Sequence, residues 1–168
     1  AYNATERVFR FPNGSRLKLG YCDGANDVYQ YQGQEYDVIG MEEATHFTER
    51  QREYLTTANR GTRTDFTPRM YYTANPGGVG HAWYKRLFID RQYRTGEHAE
   101  DYVFIPANVY DNRVLIARDP GYVKTLEALP EQRRRAYLMG DWDVFAGQYF
   151  TEFDRSLHVV RPFVLPPS

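Results

Sequence analysis

Two adjacent carboxylates, Glu42 and Glu43, follow directly on a short apolar run at residues 36–41. Like charges side by side repel, and such a pair is costly unless a cation or a proton neutralises it. A divalent ion shared with phosphate oxygens would do so. The first acid would hold the ion, and the second would polarise a water molecule for attack on phosphorus. The blander use of the pair is a solvent-facing one at a helix N-terminus, where the dipole favours anions. A second cluster, Thr73-Ala74-Asn75-Pro76, closes another apolar run, Met70-Tyr71-Tyr72. The amide of Asn75 offers both a donor and an acceptor, as a sensor of a terminal phosphate requires. Pro76 stiffens the exit and Gly77-Gly78 loosens it. The same four residues would also make an ordinary turn.

The elements around these clusters read as follows. Residues 6–21 form two short strands around Pro12-Asn13-Gly14-Ser15, since Asn-Gly between alternating apolar residues is a strong hairpin signal. Residues 23–35 are polar and read as a loop. The run at 36–41 is a buried-type strand ending at the acid pair. A helix follows from about Thr48 to Ala58, with Thr48 and Gln51 spaced for a capping box. A basic connection, 60–68, leads to a second strand at 69–73. Further on come a helix at about 81–90, a third strand at 102–105 and a helix at about 120–139 that breaks at Pro130. Strand–helix alternation of this kind predicts an α/β fold with a mostly parallel sheet flanked by helices. In such sheets functional groups gather beyond the carboxyl ends of the strands.

The segment Tyr36-Asp37-Val38-Ile39-Gly40-Met41-Glu42-Glu43 reads as a Walker B element of a P-loop nucleotide hydrolase with a catalytic glutamate. Its departure is Glu42, where Asp is usual. The order of blocks is more specific than any one of them. The acid pair is followed by Thr45-His46-Phe47, a helix, Arg60-Gly61-Thr62-Arg63, then Thr73–Gly78 and Gly80-His81-Ala82-Trp83-Tyr84-Lys85-Arg86-Leu87-Phe88. Later come Phe104-Ile105-Pro106-Ala107, Asp111-Asn112, Leu138-Met139-Gly140-Asp141-Trp142 and Gly147-Gln148-Tyr149-Phe150-Thr151-Glu152-Phe153-Asp154. This series resembles the large terminase subunit of tailed bacteriophages, over nearly the whole chain.

The resemblance implies a partial P-loop fold of the ASCE type. Residues 1–145 would be the C-terminal part of the ATPase domain, and 146–168 a linker toward a nuclease domain. Glu42 would be the metal-site acid for Mg²⁺ and Glu43 the catalytic acid. Thr73, Ala74, Asn75 and Pro76 would form the motif that couples ATP hydrolysis to movement. Arg60 and Arg63 stand where a cation could approach phosphate or DNA. The implied partners are double-stranded DNA, a portal protein, the small terminase subunit and further copies in a ring. The implied setting is the cytoplasm of an infected or lysogenic bacterial host.

No Gly-x-x-x-x-Gly-Lys-Ser/Thr run occurs in the 168 residues, so the phosphate-cradling loop is missing. Without it the chain is expected to be inactive alone. Loss of the central strand that carries the loop would expose unpaired strand edges, so the chain is expected to work within a longer polypeptide or an assembly. Two other classes stay open: a fragment of a helicase-like P-loop ATPase, and a non-enzymatic prophage remnant that only binds partners. The aromatic block after Gly140 speaks against the former, and the intact acid pair against the latter.

The remaining residues exclude more than they assign. A formal net charge of −1 gives no chain-wide electrostatic case for nucleic acid. Cys22, the one cysteine, cannot form an internal disulfide, and His46, His81, His98 and His158 lack zinc-ligand spacing. No apolar run approaches the roughly 18 residues a membrane span needs. Asp141, Asp143, Glu152 and Asp154 read as edge and linker acids, Glu131–Arg135 as a solvated helix face, and Trp83 and Trp142 as core anchors.

Overall fold

The computed structural model describes residues 1–61 and 63–145. The described chain divides into two compact units. One comprises Ala1–Ala74 with Gly78–Trp83; the other comprises Asn75–Gly77 and the chain from Tyr84 onward.

In the first unit the Asn13-Gly14 turn works as its residue types require. Gly14 takes a positive φ of 85°, a conformation without steric cost for glycine. Its N–H donates to the Phe11 carbonyl at 3.0 Å, and the Phe11 N–H donates to the Ser15 carbonyl at 3.0 Å. The flanking strands β2 (Val8–Arg10) and β3 (Arg16–Lys18) pair antiparallel, with Phe9 opposite Leu17. A short β1 (Tyr2–Asn3) adds to the far side of β2 and sets Tyr2 on Phe9, ring centroids 4.4 Å apart.

The second sheet is a parallel pair, β4 (Val38–Met41) with β5 (Arg69–Tyr72), in register from Val38–Arg69 to Met41–Tyr72. Parallel neighbours need a long crossover, and α1 (Glu49–Ala58) supplies it. The capping box is present: the Gln51 N–H donates to Thr48 Oγ1, and the Thr48 N–H donates to Gln51 Oε1 at 2.8 Å. Gln51, Arg52, Leu55 and Ala58 form the buried face of α1, following the helical period. Asn59, just past the helix, ties down the start of both strands. Its Nδ2 donates to the carbonyls of Tyr36 at 3.1 Å and Arg69 at 3.2 Å.

The second unit is helical with an aromatic core. The chain enters it at Tyr84, the last residue of a short α2 (His81–Tyr84), and runs into a π turn over Lys85–Ile89, where the Asp90 N–H reaches back five residues to the Lys85 carbonyl. Tyr84 stacks on Trp142 at 4.9 Å, and Phe88 packs edge-on against Tyr102. Leu87 is fully buried. Then come α3 (Arg113–Arg118), α4 (Gly121–Glu127) and α5 (Glu131–Met139). Gly140, at φ 64°, ends α5 in the left-handed conformation, and the Asp141 N–H closes the cap on the Arg135 carbonyl. Both tryptophans are buried, Trp83 in the first unit and Trp142 in the second.

Several expectations need correction. Residues 102–105 form no strand: Val103 and Ile105 are 74% and 82% exposed, and no described strand pairs with them. An apolar run becomes a strand only when a partner completes its ladder. The parallel part of the fold is therefore β4 and β5 alone among the described residues, with an antiparallel sheet beside it in the chain order. Residues 23–35 are not merely a loop. They contain a 3-10 turn over Asp27–Tyr31 that buries Val28 and Tyr31. The break expected at Pro130 within 120–139 is present: α4 ends before it, and Pro130 is the N-cap of α5. The linker assigned to 146–168, with Glu152, Asp154 and His158, lies outside the described residues.

Candidate functional site

The acid pair sits at the carboxyl end of β4, as the strand order predicts. Glu42 and Glu43 are exposed, and neither side chain makes a hydrogen bond or ion pair among the described residues. Glu42 also lines an open groove whose other walls include Leu17 and Leu19 of the hairpin and Val38 of β4.

Glu43 adopts φ 51°, ψ 50°, the left-handed region. For a residue with a Cβ this conformation costs about 1–3 kcal/mol and persists only where surrounding bonds over-determine it. Those bonds are present. The Glu43 N–H donates to Thr73 Oγ1 at 3.1 Å, the Ala44 N–H to the Thr73 carbonyl at 2.8 Å, and the Thr73 N–H to the Met41 carbonyl at 3.0 Å. The His46 N–H then closes a turn onto the Glu43 carbonyl at 2.8 Å. One residue at the tip of β5 thus grips three consecutive links of the chain at the tip of β4.

The far side of the acid turn is gripped as well. The Gly80 N–H donates to the Thr45 carbonyl at 2.7 Å, and Trp83 Nε1 to the Phe47 carbonyl at 2.8 Å. A side chain at Gly80 would collide with the Phe47 carbonyl, so only glycine allows this approach. Trp83 in turn packs beneath the Arg52 guanidinium, 5.5 Å from its ring centroid.

The structure therefore joins Glu42, Glu43, Thr73 and Ala74 at one end of a parallel strand pair. Asn75 and Pro76 open the second unit, Asn75 exposed and Pro76 buried. Arg60 pairs with Glu35 at 3.0 Å, and Arg63 makes a two-point contact with Asp65 at 3.0 and 2.6 Å. The bond from Arg63 holds the Asp65 carboxyl below the usual carboxylate range. Sequence reasoning missed Asn59 and Gly80. The signal for Gly80 lay in the glycine-rich run 77–80; nothing local marked Asn59.

No group of three or more His, Cys, Asp or Glu among the described residues could hold a metal ion by itself. Glu42 nevertheless fits a magnesium ion, which takes one or two protein carboxylates and completes its shell with phosphate oxygens and water. The uncommitted carboxylate is the observation that allows it.

The family model for the terminase large subunit, T4-like virus type, N-terminal, matches residues 2–157. The chain belongs to that family. Its members serve phage DNA packaging, and the large terminase subunit is generally an ATPase and nuclease. No curated protein and no solved structure matches the terminase chain. No helix of its described residues is long and apolar enough to cross a membrane.

Proposed function

We propose that this terminase chain supplies the water-activating half of an ATP-hydrolysing motor that moves double-stranded viral DNA into a capsid. The observation that carries the reading is Glu43: a strained, exposed and uncommitted carboxylate, locked by its backbone at the tip of a parallel strand. Backbone strain of this kind clusters at active sites and ligand clamps. Glu43 would take the proton of the attacking water, the role of a positioned general base. Glu42 would hold Mg²⁺, which when bound neutralises charge on the phosphates. Thr73, Ala74, Asn75 and Pro76 would carry the state of the nucleotide into the chain that follows. The phosphate-cradling loop would come from sequence other than these 168 residues, and so would the nuclease. Portal protein, the small terminase subunit and neighbouring copies in a ring would be its partners in the host cytoplasm.

The test is Glu43→Gln in a large subunit that includes a phosphate loop. Hydrolysis should fall by at least about 10²-fold, the lower range for loss of a general base, while ATP affinity stays within about twofold. Affinity falling in step with turnover would mean that Glu43 binds nucleotide and does not activate water.

A further inference from the structure

We infer that Thr73 is a positioning residue for Glu43, acting through its side-chain hydroxyl. The inference rests on the reading of Glu43 as the water-activating acid and adds to it the part that aims that acid.

The argument begins with what a left-handed glutamate needs. Glycine or asparagine would hold this conformation with little strain; glutamate relaxes out of it unless its neighbours are fixed. Backbone pairing fixes Met41 and Ala44, through the Thr73 N–H and carbonyl. Any residue but proline at position 73 would make those two bonds. The Glu43 N–H is different, because its acceptor is a side-chain atom, Thr73 Oγ1, at 3.1 Å. That bond needs a side-chain acceptor at this position, and the threonine hydroxyl supplies it. The hydroxyl is exposed and makes no other bond among the described residues, so its geometry is spent on Glu43 alone.

The position gives the bond a second consequence. Thr73 directly precedes Ala74-Asn75-Pro76, where the chain leaves the first unit. A pull on that exit moves Thr73, and the hydroxyl bond transmits the movement to the φ and ψ of Glu43. With the bond intact the carboxylate is held toward the reacting water; with it broken the residue relaxes and its aim is lost. An error of about 1 Å in aim costs on the order of 10²-fold in rate.

The experiment compares Thr73→Val, Thr73→Ser, Glu43→Gln and the double variant Thr73→Val/Glu43→Gln in a large subunit that includes a phosphate loop. It measures single-turnover ATP hydrolysis, ATP affinity and hydrogen exchange at the Glu43 amide. Valine keeps the shape of threonine without the acceptor; serine keeps the acceptor. Thr73→Val should slow hydrolysis by at least about tenfold with ATP affinity unchanged, and should speed exchange at Glu43. Thr73→Ser should stay within about threefold of the parent. The double variant should be no slower than Glu43→Gln, because a residue acting through Glu43 has nothing left to aim. Parental turnover in Thr73→Val, equal damage from valine and serine, or a further fall in the double variant would each overturn the inference while leaving the role of Glu43 intact. Should Thr73→Val fail to fold, exchange at Glu43 in the unaltered protein decides: protection below that of the Glu42 amide, which makes no bond among the described residues, overturns the inference. Parental hydrolysis in Glu43→Gln would sink the functional reading itself, and this inference with it.

Discussion

The acid pair of the first unit and the ion-paired acids of the second live under opposite conditions. Glu42 and Glu43 in the first have no cation and no donor among the described residues. In the second, Glu97 receives a two-point contact from Arg86 at 2.6 and 3.0 Å, with both side chains largely buried. Asp90 and Asp143 flank Lys85 at 2.5 and 3.2 Å, and Asp141 is bound by Arg135 at 2.6 Å. The bond to Asp90, first among the causes, raises the Lys85 amine above its ordinary value. The difference teaches which carboxylates are structural. A carboxylate that holds the fold has spent its lone pairs on the fold. One left unspent is available to a ligand, as proposed for Glu42 and Glu43, and at Glu43 the backbone, rather than a salt bridge, sets its direction.

The contrast can be broken most sharply at its extremes. Glu43→Gln should leave the urea midpoint near the parental value while turnover collapses, because no fold-holding bond is removed. Glu97→Gln or Arg86→Ala should do the reverse. Breaking a mostly buried ion pair strands the surviving charge, at about 3–5 kcal/mol, and urea unfolding should register a loss of that order. A stability loss at Glu43 matching that at Arg86 would erase the distinction between the two kinds of acid.

A smaller effect sharpens the same comparison within the first unit. Asn59 fastens the entry of β4 and β5 as Thr73 fastens their exit. Asn59→Ala should cost about 0.5–1.5 kcal/mol, the usual net worth of a hydrogen bond, since its acceptors are at most half-buried. It should leave ATP affinity and the kcat ratio of Glu43→Gln to parent unchanged, since it acts at the end of the strands remote from the acids. A selective fall in kcat at unchanged stability would show that the two ends of the sheet are coupled.

What could be read from the sequence was local. The Asn13-Gly14 turn, the Thr48–Gln51 capping box and the two runs that end in Glu42-Glu43 and Thr73 carry their instructions within a few residues, and each element forms. Strand–helix alternation also predicted parallel pairing, and β4 and β5 pair in parallel. Other features depended on partners far along the chain. Residues 102–105 look like a strand but lack a ladder among the described residues. The turn at Asp27–Tyr31 hides two buried residues, Val28 and Tyr31, in a polar stretch. It is held near α1 by Gln51, whose Nε2 reaches the Gly24 carbonyl at 3.2 Å. No spacing rule announces a π turn at Lys85–Ile89, nor the left-handed conformation of Glu43, because glutamate has no local preference for it. The site was legible as residue types at strand ends; its strain, and the hydroxyl that holds the strain, were not.

The smallest expected effect concerns acid, and it tests whether the second unit's carboxylates act through charge. Asp141 sits at the end of α5. Its carboxylate accepts the Asp143 N–H at 2.8 Å and the Arg135 guanidinium at 2.6–2.9 Å. The first of these bonds, then the second, hold its pKa below the usual carboxylate value. A group whose pKa is lowered by folding binds its proton more readily unfolded. Its stabilisation is therefore present above the unfolded pKa and is lost as the pH falls through the folded one. Because Arg135 is 44% exposed, solvent screening limits the contribution to about 1 kcal/mol or less. Asp141→Asn should accordingly unfold at slightly lower urea than the parent at pH 7. The two midpoints should converge on the acid side of the ordinary carboxylate range. Midpoints that stay apart in acid would trace the loss to packing at the α5 cap, and the charge-held picture of this unit would have to be redrawn around Arg86 and Lys85 alone.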